Sequence, residues 1–142
     1  MINDIAEQAI LAAITPLLPP GLTIYVSDET ENKKFVAPCL IIHAMPSEEV
    51  ITPGSGIYKV EVQAKLRSHN LEDAREFRTQ CVTILDMWAH SSPSPAAGLS
   101  TFPNFHCHGF QPLRGELGVD TDQKTLDYTT SWQLWCMPRS DT

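Results

Sequence analysis

From residue 57 to residue 67 the side chains alternate between apolar and polar without a break. Tyr58, Val60, Val62, Ala64 and Leu66 form one set, and Lys59, Glu61, Gln63, Lys65 and Arg67 form the other. A period of two over this length predicts a strand with one buried and one wet face. After a short connection at Arg67, Ser68 and His69 the period lengthens. Leu71, Ala74, Phe77, Cys81, Ile84, Leu85 and Trp88 recur at three and four, which places them on one stripe of a long helix. Asn70 stands where an N-cap belongs, and Glu72 and Asp73 put negative charge at the open amides of the first turn. A helix lying over an antiparallel sheet buries both apolar surfaces at once.

The same periods order the rest of the chain. Ile2, Ala6, Ile10, Ala13, Ile14 and Leu17 make a first helical stripe. Asn3 or Asp4 can cap it, and Pro16 with Pro19, Pro20 and Gly21 stops it. Residues 23–26 read as a short strand, 27–34 as a polar loop, and 39–45 as an apolar strand suited to the middle of a sheet. The range 46–56 holds Pro46, Pro53, Gly54 and Gly56 and reads as a projecting loop. Within it Val50 and Ile51 follow two acids, Glu48 and Glu49, as loop anchor or as contact with a neighbouring subunit. The range 90–105 is a Ser/Pro-rich connector, read as a surface linker. Two strands close the chain, 106–114 and 126–137, joined by a polar turn region with Gly115, Gly118, Asp120 and Asp122. On the last strand Tyr128, Thr130, Trp132, Leu134 and Cys136 share one face. Trp135 and Met137 fall on the other, which a single covered sheet would leave wet. The expected fold is one α+β domain over residues 1–142. Its sheet is mainly antiparallel, with four to five strands, packed by the N-terminal helix and the long central helix.

Composition narrows the function. The chain has 142 residues, of which 42% are hydrophobic, and a formal net charge of -7. That size and apolar content allow a proper core, and the acidity argues against a protein that works by neutralising phosphates. The most apolar stretch, 5–18, is interrupted by Glu7, Gln8 and Pro16, so neither a membrane span nor a secretory signal is expected. A cytoplasm-like compartment follows. The four cysteines show no Cys-x-x-Cys spacing. Cys39, Cys81 and Cys136 sit on apolar faces, as reduced core residues do.

Candidate chemistry is sparse. His106 and His108 flank Cys107 and would share one strand face, where His43 or an acid would have to complete a metal shell. No further ligand has diagnostic spacing, so no metal ligand, cofactor or catalytic residue is assigned. Cys81 lies on a core-facing stripe, the wrong setting for a thiolate nucleophile. Gly115 and Gly118 lack the phosphate-loop pattern and read as turn glycines. Glu48 and Glu49 read as loop surface.

The order of elements resembles the tail terminator or tail-completion proteins of tailed bacteriophages. The resemblance rests on the 2–18 helix with its proline stop and on Pro38 with the strand to Met45. It continues through the 57–67 strand, the 71–88 helix and the closing strand with Trp132, Leu134 and Cys136. It implies a non-enzymatic virion protein in the tail or neck region, assembled in the host cytoplasm. Such a protein forms a homohexameric ring on the tail tube protein, ends tube polymerisation and joins the head-tail connector or neck proteins. DNA passes through its channel without sequence-specific binding. On that reading the candidate assembly-interface residues are Val50, Ile51, Glu61, Trp135 and Met137. The alternatives are another connector or head-completion protein, or a small cytoplasmic ligand-binding protein or enzyme.

Overall fold

In the computed structural model, residues 2–26, 36–45, 48–49, 56–113, 115–120 and 124–139 are described. The elements are α1 (Ile2–Ile14), β1 (Thr23–Val26), β2 (Cys39–Ala44), β3 (Glu48–Glu49) and β4 (Tyr58–His69). They continue with α2 (Arg75–Ala89), α3 (Pro95–Leu99), β5 (Phe105–Pro112), β6 (Glu116–Asp120) and β7 (Thr125–Pro138). The expected α+β fold forms around a sheet of order β1-β2-β4-β7-β5, with β3 beside β4 and β6 beside β7. Only β1 and β2 pair in parallel; the other described pairs are antiparallel. The sheet has seven strands rather than four to five. The additional ones are β3, which is two residues long, and β6, which occupies the stretch read as a turn region.

The two longest strands make the centre. β4 and β7 pair from Tyr58 opposite Cys136 to His69 opposite Thr125. This register carries β4 through Arg67, Ser68 and His69, which were expected to form a connection. β7 keeps supplying partners there, so the chain stays extended. Directly opposed residues in an antiparallel pair share a face. Val60, Val62 and Leu66 of β4 therefore join Leu134 and Trp132 of β7 and Leu40 and Ile42 of β2 in one buried layer. Onto it pack Ala6, Ile10 and Ile14 of α1 and Cys81, Leu85 and Ala89 of α2. Each such large apolar side chain contributes roughly 1.5–3 kcal/mol of transfer free energy. Trp88 meets Trp132 edge to face, with ring centroids 5.2 Å apart, which seats the end of α2 on β7.

The helix boundaries differ from expectation at their first turns. α2 begins at Arg75, preceded by a 3-10 turn over Glu72–Ala74. Leu71, not Asn70, stands at the cap, and its side chain is 60% exposed, off the stripe. Asn3 and Asp4 lie within α1 rather than before it. The 90–105 connector is not a surface linker throughout: residues 90–94 are exposed, but α3 follows with Pro95 and Leu99 buried. Ser94 caps α3 by accepting the Ala96 N–H at 3.3 Å, and Ser100 accepts the Cys107 N–H at 2.9 Å, tying the turn to β5.

One buried carboxylate finishes a sheet edge. Met45 N–H donates to Glu61 on β4, so the preceding N–H, of Ala44, points the other way. β1 has already ended there, at Val26 opposite Ile42. Glu7 of α1 accepts that N–H at 2.7 Å. Left unmade, a buried bond of this kind costs about 1–3 kcal/mol.

Candidate functional site

The three helices all contribute to the same core cluster, whose strand residues lie on one face of the sheet. The opposite face carries Glu61, Gln63 and Lys65 of β4, Ile41 and His43 of β2, and Gln133, Trp135 and Met137 of β7. None of these residues belongs to the core cluster. Glu61, Trp135 and Met137 thus come together on one face, and all three are half-buried. Val50 and Ile51 lie outside the described residues. Glu48 and Glu49, read as loop surface, form β3 and pair with Lys59 and Tyr58. Lys59 has Trp135 as its partner on the other side, so β3 lies at the Trp135 end of the face.

The two ends of this face are built differently. At one, Arg67 is 1% exposed, although its place in the alternation predicts a wet side chain. Its Nε and Nη2 donate to Oδ1 and Oδ2 of Asp127, directly across on β7, at 3.2 and 3.1 Å. Two parallel charge-assisted bonds suit a guanidinium withdrawn from water. Cys39 sits opposite Arg67 on its other side. Burial pushes the Cys39 thiol up to about 11, against the pull of the Arg67 charge and with the push of Asp127. A thiol that stays protonated at neutral pH is no nucleophile.

At the other end Trp135 lies over β5. A Cβ on Gly109 would come within 3.3 Å of the indole Cε3, so glycine is what lets the ring settle there. The register of β5 against β7 shifts at this point. His106 opposes Met137, Cys107 opposes Cys136, and Gly109 opposes Trp135, leaving His108 as the extra residue of a β-bulge. The shift turns Phe110 inward, where it stacks with Trp132 at a centroid separation of 6.4 Å, while His106 and His108 stay outward. Their rings are 4.4 Å apart, and Nε2 of His108 is 3.2 Å from Sδ of Met137.

The other sequence candidates are settled by placement. His43 is on β2, and β4 and β7 lie between it and the β5 histidines. At ~4.8 Å per strand that is ~14 Å, too far to complete their shell. Among the described residues no three His, Cys, Asp or Glu side chains form a group able to hold a metal ion. Cys81 is in the core, its thiol pushed up to about 11 by burial. Gly115 does stand in the break between β5 and β6, where a Cβ would collide with the Tyr128 hydroxyl, but Gly118 is inside β6 rather than in a turn. A groove of about 170 Å³ between α2 and β6 is lined by Val82, Leu117 and Tyr128 with Arg78. Ligand pockets run to roughly 300–1,000 Å³, so this groove is small for one.

Sequence reasoning missed Arg67 with Asp127 and the place of Met137 beside His108. Both depend on long-range register, for which a single strand's alternation carries no signal. No protein-family model matches the chain, and no curated protein is similar to it. What this face does is therefore read from its own residues. No helix among those described is long and apolar enough to cross a membrane.

Proposed function

We propose that the chain is a structural subunit of a tailed-phage virion. In that role it closes into a ring, hexameric by the resemblance, that caps the tail tube, ends its polymerisation and offers the surface to which the neck joins. The observation that carries this reading is the half-buried apolar pair Trp135 and Met137 on the sheet face outside the core. Tryptophan and methionine are enriched in interfaces relative to the rest of a protein surface. The order α1, β1, β2, β4, α2, β5, β7 supports the same reading, since it contains the layout on which the resemblance rests, with β3, α3 and β6 added to it. A cyclic ring joins one surface of each subunit to a different surface of the next. The Trp135 end supplies one such surface, with β3 beside it. The net charge of -7 is compatible with a channel through which DNA slides without being held. No catalytic or cofactor role is proposed.

Trp135→Glu places an unpaired charge in the contact, and desolvating that charge is costly. The variant is expected to fold, because the core layer is untouched, and to fail in capping. Electron micrographs of lysates from a deletion complemented by the variant would show tails of uncontrolled length or tails without heads. Tails of normal length joined to heads in the complete absence of the protein would end this proposal. Uniform free tails would leave a joining role without length control.

A further inference from the structure

One cluster on the second face includes Met137, which also supports the ring reading, but draws on its sulfur rather than on its apolar surface. His106, His108 and Met137 meet at the β-bulge of β5, with His108 exposed and the other two half-buried. The imidazoles are perpendicular neighbours, 4.4 Å between centroids at 79°. The Met137 thioether is 3.2 Å from His108 Nε2. A thioether is a weak hydrogen-bond acceptor, so the contact gains little as an N–H···S bond. It is a good arrangement for two donors to one ion. Ligands at about 2.0 Å (nitrogen) and 2.3 Å (sulfur) from a common centre are 3.2 Å apart when they subtend just under 100°.

The donor set selects the ion. Two neutral imidazoles and a thioether bring no negative charge, and no group of three His, Cys, Asp or Glu is present among the described residues. Hard divalent ions that want carboxylates are poorly served, whereas thioether with imidazole suits a soft monovalent one. We propose that His106, His108 and Met137 form a surface site for Cu(I). The ion takes the Nε2 lone pair of the His108 tautomer protonated at Nδ1, so the neutral ring binds without releasing a proton. Alternation puts both histidines on the Met137 side, and the bulge returns Phe110 to the core without moving them from it. The thiols do not compete in the folded chain. Cys39, Cys81 and Cys136 are 0% exposed and Cys107 is 4%.

The test uses the full chain without a tag, under anaerobic conditions, with Cu(I) delivered from a chromophoric bicinchoninate complex. One Cu(I) per chain is expected to transfer. Met137→Leu, a volume-conserving change, should weaken Cu(I) at least tenfold while leaving Zn(II) affinity within twofold. His106→Ala with His108→Ala should abolish Cu(I) transfer with the far-ultraviolet circular dichroism unchanged. A second measurement reads the sulfur directly. With 13C-methyl methionine, Ag(I) as a redox-silent substitute should shift the Met137 methyl and none of the other three of the four methionines. Transfer that survives all three substitutions, Cu(I) affinity unchanged in Met137→Leu, or a Met137 methyl that does not move would each overturn the site. Because none of these readouts involves tail tubes, the site stands or falls separately from the ring.

Discussion

The two ends of the sheet's second face differ in a way that composition conceals. At one end a charged side chain, Arg67, is buried, paired with Asp127 and flanked by the buried Cys39. At the other end the apolar Trp135 and Met137 stay half in water beside the exposed His108. The guanidinium can leave water because the adjacent strand presents a carboxylate in matching register. On its β5 side the indole lies against the bare backbone at Gly109. Polarity therefore does not report burial on this face. The charged end is closed within the fold, and the apolar end stays half-exposed.

The largest expected effect tests the first half of that contrast. Arg67→Ala removes one partner of a buried pair and strands the Asp127 carboxylate, which typically costs 3–5 kcal/mol, roughly. Asp127→Ala should cost a similar amount. Replacing both with apolar residues of similar volume, Arg67→Met with Asp127→Leu, should recover much of the loss. Urea titration of the singles and the double gives the coupling energy. A loss below about 1 kcal/mol in the singles is what an exposed ion pair shows, and it would erase the distinction between the ends.

A smaller effect appears in alkali. Burial raises the Cys39 thiol to about 11 and does the same for Cys81 and Cys107, while Cys136 is pushed to about 12 by burial and by Cys107. Above about pH 9 the unfolded chain loses these protons and the folded one keeps them, so the folded state binds more protons. Stability is then unaffected below about pH 9 and falls as pH rises from 9 toward 11. The Tyr128 hydroxyl, raised by partial burial and by its hydrogen bond to Asp86, acts in the same direction. Cys39→Ala should flatten the decline of the urea midpoint between pH 9 and 11. An unchanged slope would mean that the Arg67 end admits water and is not an extension of the core.

How far the sequence could be read follows from these cases. The alternation in β4 and β7 and the stripes of α1 and α2 are local, and each placed its core residues correctly: Val60, Val62, Leu66, Trp132, Leu134, Ile10 and Leu85 are all buried. The failures are non-local. Arg67 looks like any polar member of a wet face until Asp127 is brought opposite it, sixty residues later in the chain. β6 lacks a clean period, since Glu116, Leu117, Gly118 and Val119 are all exposed on a short edge strand whose pairing is set by β7. α3 is a single turn inside a proline-rich stretch, fixed by Leu99 and by the Ser100 bond to β5 rather than by helical propensity. Trp135 and Met137 were legible as misplaced apolar residues. Met137 as a neighbour of His108 was not, because a bulge resets the register between them.

The smallest expected effect lies on the outward side of β4, between the two ends. Glu61 is half-buried and faces Gln133, and its backbone carbonyl, not its side chain, accepts the Met45 N–H. Glu61→Gln keeps the shape and that backbone bond, so the isolated chain should change by no more than about 0.5 kcal/mol, as surface substitutions usually do. Glu61→Lys is the sharper variant. It adds positive charge to a strand side that already carries Lys59 and Lys65, yet partial solvent exposure and salt screen the repulsion. In the monomer the cost should stay below about 1 kcal/mol. In an assembled ring the same position would meet a neighbour's surface, where like-charge contacts cost several kcal/mol, on the order of what abolishes a contact. Denaturant midpoints and complementation of a deletion should therefore disagree, with near-normal stability and defective tails. If the charge reversal unfolds the isolated chain and has no effect specific to assembly, Glu61 belongs with Arg67 on the structural end, and the boundary between the two ends has been drawn too early along β4.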